Sequence, residues 1–185
     1  MFYTNGYIVK DTAVNKDFFN HPEYKGLESH NNWPLSNMND HESKDLTNII
    51  DDHFTKNNYI EIIINTNLLK KYVDHCKKLG IEIIILKIMT QKKSVIADKD
   101  LADIEVLGYD CIAGDSVSYL AEIFKDDNEI ALYKNTISKI NSNGLLNTYK
   151  EATHFIAERN KLVQQGINIE DYWDAFPAKL SIVQI

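Results

Sequence analysis

Apolar residues fall into two kinds of run along this chain, and the contrast between them lays out most of its elements. Leu46, Ile49, Ile50 and Phe54 stand at i, i+3, i+4 and i+8, so 43–56 is predicted as an amphipathic helix with Ser43 as its cap. Tyr59 to Ile64 follows as a nearly unbroken run rich in β-branched residues. Leu68, Leu69, Tyr72, Val73, Cys76 and Leu79 then return to helical spacing and stop at Gly80, a favoured residue just beyond a helix end. Ile81 to Ile88 is a second buried-type run. Strand, helix and strand in close succession, with strands apolar on both faces, are the pattern of a right-handed βαβ unit in a parallel sheet.

The remaining pattern is weaker but readable. Phe2 to Val9 is predicted as a short strand, and the stretch from there to Glu42 is polar and irregular, with Pro22, Pro34 and a single helical turn over residues 17–20. Asp103 to Ile112 alternates acid with apolar, as a half-exposed strand does. Gly114 breaks it, and Asp115 or Ser116 can cap a helix carrying Val117, Leu120, Ala121 and Phe124. Residues 128–141 place Ile130, Tyr133, Ile137 and Ile140 on one side, with Gly144 as a stop. Thr148 and Glu151 form a capping box for a helix with Ala152, Phe155, Ile156, Arg159 and Val163, closed by Gly166. An aromatic turn over 171–176 precedes an alternating terminal strand at 178–185. The expected fold class is α/β (α+β): a single globular domain, 1–185, with an irregular segment and a short strand at 1–42 and an α/β core at 43–185. Its mixed sheet has four or five strands including one βαβ unit, with helices packed on its faces.

Composition narrows the function classes. At 44% hydrophobic and 25% charged, 185 residues can bury a sizeable core. The first residues lack the charged and apolar regions of a signal peptide, and no apolar run approaches bilayer length, so the chain is expected to be soluble and cytoplasmic. Cys76 and Cys111 are too few for a disulfide framework and sit in apolar stretches, as small hydrophobes. The net charge of -7 is unevenly placed. Residues 98–129 hold ten acids against Lys99 and Lys125, a net of -8, which leaves the remainder at +1. With a single arginine, Arg159, and no basic cluster, direct nucleic-acid binding is not expected.

Candidate chemistry is sparse. His21, His30, His41 and His53, with Asp40, Glu42, Asp51 and Asp52, could in principle assemble a carboxylate–histidine metal site for a hydrolase, but their spacing matches neither a helical H-E-x-x-H pair nor a zinc finger. His75 and His154 sit within amphipathic helices, as surface or boundary residues. Asp98, Asp100 and Asp103 fail the calcium-loop pattern, since Asp103 occupies the glycine position and Tyr109 the glutamate position. Glu82 and Lys87 differ by an odd number of residues and so face opposite sides of a strand, against a metal-dependent nuclease; Glu61 and Glu82 are read as carboxylates with local partners. No nucleophile elbow, phosphate loop or C-x-x-C is present. No catalytic residue, cofactor or metal is therefore expected. A third reading by fold analogy is a small-molecule site near Asn65, Thr66, Thr90 and Gln91, at the carboxyl ends of the predicted strands.

Leu107-Gly-Tyr-Asp-Cys-Ile-Ala-Gly-Asp-Ser-Val-Ser-Tyr-Leu120, followed by Asn143-Gly-Leu-Leu-Asn-Thr-Tyr-Lys-Glu-Ala-Thr-His-Phe155, resembles a pattern among small bacterial immunity proteins, the antidotes to contact-dependent and other polymorphic toxins. The resemblance covers about a quarter of the chain. It implies a non-enzymatic protein that binds one toxin domain tightly, often a nuclease, and blocks its active site or its access to substrate. The acidic segment fits such a partner, because a cleft that holds nucleic acid is basic and carboxylates can compete with phosphate for it. The expected partner-binding residues are Asp98, Asp100, Asp103, Glu105, Asp110, Asp115, Glu122, Asp126 and Asp127, with Tyr109, Tyr119, Tyr172 and Trp173 as aromatic anchors. Backbone pairing at an exposed strand, 103–112 or 178–185, is a second mode.

Overall fold

The computed structural model describes residues 1–14, 30–32, 41–56, 62–93, 95–113, 117–125, 131–166 and 175–185. The chain is a mixed α+β protein whose residues divide into two compact units. The first comprises 1–14, 30–105 and 182–185, and the second 15–29 and 106–181. Among the described residues, no helix is long and apolar enough to cross a membrane.

The first unit is built on β1 (Tyr3–Val14), which pairs antiparallel with β2 (His30–Asn32) and with β3 (Ile83–Thr90). Residues 85–88 of β3 are buried on both faces, which explains why that run is apolar almost throughout. Helix α1 (His41–Lys56) contributes Leu46 and Ile50, and helix α2 (Thr66–Lys78) contributes Leu68, Leu69, Tyr72, Val73 and Cys76, to a core that also holds Tyr7, Val9, Ile63, Ile85 and Val183. Each such large aliphatic side chain contributes about 1.5–3 kcal/mol by burial. Ile49 is left 47% exposed, so the buried stripe of α1 is narrower than its sequence spacing suggests. Ser43 is not a cap. It lies inside the helix, fully buried, with its Oγ 2.7 Å from His75 Nε2 on α2. His75 is accordingly buried rather than at the surface.

The predicted parallel strand pair takes a different form here. Tyr7 of β1 exchanges backbone hydrogen bonds with Ile63, 3.0 and 2.8 Å, in an antiparallel bridge, while pairing across its other edge with Lys87 of β3. The chain around Ile63 and β3 therefore run the same way, with β1 between them and α2 connecting them. Ile63 makes only an isolated bridge among the described residues; 59–61 lie outside them.

In the second unit, β4 (Asp103–Ala113), whose first three residues belong to the first unit, pairs antiparallel with β5 (Val117–Ser118), and β6 (Phe176–Val183) lies beside β4. Among the described residues they are accompanied by helices α3 (Tyr119–Lys125), α4 (Lys134–Ile137) and α5 (Tyr149–Gln164). Helix α5 starts with the capping box read from sequence, Thr148 with Glu151. Its Phe155 meets Tyr133 edge to face, centroids 5.1 Å apart, and its Ala152 carbonyl accepts from Cys111 Sγ of β4 at 3.5 Å.

Candidate functional site

Lys87 interrupts the apolar run of β3 and is only 2% exposed. An ammonium taken out of water needs all three of its protons engaged. They go to Asp103 Oδ1 at 2.5 Å, Asp100 Oδ1 at 3.0 Å and the Leu101 carbonyl at 2.6 Å. Burial alone would pull the Lys87 pKa down, but hydrogen bonds and charge from Asp103 and Asp100 outweigh it and raise the value. The Thr4 hydroxyl donates to Asp100 at 2.6 Å and, with Lys87, holds that carboxyl below its ordinary value against the opposing effect of burial.

The neighbouring loop is tied down by the same strands. Tyr7 Oη donates to the Lys99 carbonyl at 2.6 Å and accepts from Leu101 N at 2.9 Å; burial raises its pKa above the usual phenol value. Asn5 Nδ2 donates to the Lys92 and Val95 carbonyls, and its Oδ1 accepts from Thr90 N. Asp98 accepts from Thr66 N in the first turn of α2, where a carboxylate suits the helix dipole. Residues 98–105 thus form an acidic surface on a braced scaffold. Asp98, Asp100, Asp103 and Glu105 are all exposed residues, yet three of the four also hold structure. Beside them Ile104 is 63% exposed, an apolar candidate for contact that charge-based reading passed over.

Two residues expected at the partner surface are buried. Asp110 is 0% and Tyr119 1% exposed. Asp110 Oδ1 accepts from Ser118 Oγ at 2.7 Å and from Cys111 N at 2.8 Å, and the Arg159 guanidinium lies over the Tyr119 ring at 3.7 Å. The one arginine of the sequence is thus engaged inside the second unit. Cys111 is enclosed there too, and burial, reinforced by Asp110, pushes its thiol well above the ordinary pKa. Tyr109 is half-buried, bridged to Leu146 and edge to face with Tyr149, centroids 6.4 Å apart. Glu122 lies in α3, and Asp115, Asp126, Asp127, Tyr172 and Trp173 lie outside the described residues.

The two sequence segments that carry the immunity-protein resemblance meet in the second unit. The Leu107 carbonyl accepts from Asn141 Nδ2 at 2.8 Å and Asn143 Nδ2 at 3.0 Å, and Tyr109 and Leu146 exchange backbone hydrogen bonds of 2.7 and 3.0 Å. Gly108, at φ 139°, passes so close that a Cβ there would lie 2.7 Å from the Leu146 carbonyl oxygen. These residues therefore have an architectural role.

The residues of the other two readings are also engaged locally. His53 Nε2 accepts from Ile64 N at 3.3 Å; His21 and the side chains of His30 and His41 lie outside the described parts. Among the described residues no group of three His, Cys, Asp or Glu could hold a metal ion. Asn65 caps α2 by accepting from Leu68 N, Thr66 N donates to Asp98, and Thr90 Oγ1 accepts from Lys92 N, leaving Gln91 exposed beside them. The class these features define is a mixed α+β protein with a braced acidic loop and strand. No protein-family model, curated protein or solved structure matches the chain.

Proposed function

We propose that this chain is an immunity-type protein that binds a cognate bacterial toxin domain and neutralises it without catalysis of its own. The preferred partner is a nuclease, whose active site or substrate cleft the acidic surface covers. In this reading the protein acts in the cytoplasm, needs no cofactor and touches neither nucleic acid nor membrane directly. The reading includes the finer architecture expected from the sequence, a βαβ crossover through α2 and helices on the faces of the sheet.

The observation that carries the proposal is the bracing of residues 98–105. A loose acidic loop would lose conformational entropy on binding, whereas one already held by Thr4, Tyr7, Lys87 and the start of α2 presents its carboxylates in place. Exposed Ile104 beside Glu105 adds the apolar contact that charge alone does not supply. The resemblance at 107–155 supports the same reading.

The structure also selects the informative substitutions. Reversing Asp98 or Asp100 would disturb a helix start or the Lys87 cluster, so loss of function there would be ambiguous. Glu105 and Lys99 are exposed and lie in the same segment. Glu105→Lys should slow association with the toxin domain encoded beside this gene by several-fold, on the order of an interface charge reversal at low salt, and weaken protection on co-expression. Lys99→Glu should preserve or accelerate association. Unchanged association by both folded variants at low salt would remove the acidic surface from the mechanism.

A further inference from the structure

We infer that Asn143 and Asn5 are deamidation sites that folding holds silent and that opening of their own unit releases. The chain contains two Asn–Gly steps, Asn5–Gly6 and Asn143–Gly144, and the described structure places one in each unit. Glycine offers no side chain to obstruct the reaction, so this is the dipeptide in which backbone attack on the asparagine amide is least hindered. The glycine nitrogen loses its proton and bonds to the asparagine Cγ. Ammonia leaves with a proton, giving a cyclic imide, and solvent water then opens the ring at either carbonyl to aspartate or isoaspartate.

The fold opposes each step of that sequence. Asn143 is 9% exposed; its Nδ2 donates to the Leu107 carbonyl at 3.0 Å and its backbone N to Asn141 Oδ1 at 2.8 Å. The attacking atom, Gly144 N, is itself engaged with the Asn141 carbonyl at 3.0 Å. Asn5 is 6% exposed and makes three side-chain hydrogen bonds, to Lys92 and Val95 carbonyls and from Thr90 N. Gly6 itself is closely packed, since a Cβ there would lie 3.1 Å from the Ile63 carbonyl oxygen, so this part of the backbone is confined while the unit is folded.

The same contacts make the product incompatible with the fold. An aspartate at 143 sets a carboxylate oxygen against the Leu107 carbonyl, two acceptors with no proton between them in a buried place. An aspartate at 5 loses both donations that fasten Lys92 and Val95 to β1. Isoaspartate also lengthens the backbone, at Asn143 just before a residue fixed at φ 69°. A transient opening is thereby converted into permanent loss of the unit that opened.

The test follows peptides spanning 5–6 and 143–144 by mass spectrometry, in full-length protein held at neutral pH in buffer and in concentrated guanidinium chloride. Both sites should convert at least about tenfold more slowly in buffer, the factor expected when the open form is a tenth or less of the population. Equal rates in the two solvents at either site overturn the guarding at that site. Thermal melting of Asn143→Asp and Asn5→Asp checks the consequence. Reduced melting temperature or failure to fold supports it, and wild-type melting of either variant overturns permanent loss for that unit.

Discussion

Lys87 shows how much of a residue's role depends on partners distant in sequence. Glu82, just before β3, is exposed, while Lys87 within the strand is buried. Nothing local revealed that Tyr7 pairs beside it, or that Asp100 and Asp103, readable as part of an acidic surface, also neutralise it. The two sides of this cluster are unequal. The Asp100 side chain is 67% exposed and can return to water, whereas the ammonium cannot. Lys87→Met is therefore expected to cost only about 1–2 kcal/mol. Asp100→Asn combined with Asp103→Asn, which strands the buried charge, should cost about 3–5 kcal/mol. Denaturant unfolding of the two proteins ranks them, and a more damaging Lys87→Met would refute this account. Asp110 is buried for a related reason: alternation continues through β4, but from Leu107 onward most of the strand is covered, and covered acids look the same in sequence as solvated ones; Tyr119, the first residue of α3, is covered instead by Arg159.

At the level of elements, legibility followed the range of the interactions. The capping box of α5 joins residues three apart, so Thr148 and Glu151 announced it, and the structure has Glu151 N donating to Thr148 Oγ1 at 3.2 Å and Thr148 N to Glu151 Oε2 at 3.0 Å. Thr148→Ala should lower stability by about 1 kcal/mol, seen as a lower denaturant midpoint at unchanged slope, and Thr148→Ser should restore most of it. Ser43 fulfils the same composition rule but not the same role, because its hydroxyl is taken by His75 on another helix. The helices α1, α2 and α5 and the strands β3 and β4 were readable within a few residues from periodicity. The antiparallel pairing of β1 with β3 was not, because two apolar runs joined by a helix resemble a parallel pair until the intervening strand is known.

For the molecule as a whole, the charge distribution bears on stability as well as on the proposed partner. Lys87 has its pKa raised above the ordinary 10.5 and Asp100 has its pKa lowered below the ordinary 3.8. A raised lysine contributes stability that is complete below 10.5 and is lost as pH climbs through its folded value. A lowered aspartate contributes stability that is complete above 3.8 and is lost as pH falls through its folded value. The stability difference between wild type and Lys87→Met should therefore stay level between pH 3.8 and 10.5 and shrink on either side of that window; melting both proteins across pH tests this. A gap that closes near neutrality would exclude the cluster as its source. The acidic bias of the 98–105 segment was legible by counting residues, but its bracing was not, because the groups that supply it come from the first strand, the middle of β3 and the start of α2.

The core of the first unit, which begins with Tyr7 and Val9, also includes Val183, with Ile185 packed against it. Those residues are synthesised only after the whole of the second unit. On the ribosome, then, the first unit cannot close in the order in which it is made. Its apolar face must wait, incompletely covered, while the second unit is translated, and the last strand finishes both. Such a chain depends on holding by chaperones, or on rapid completion, during that interval.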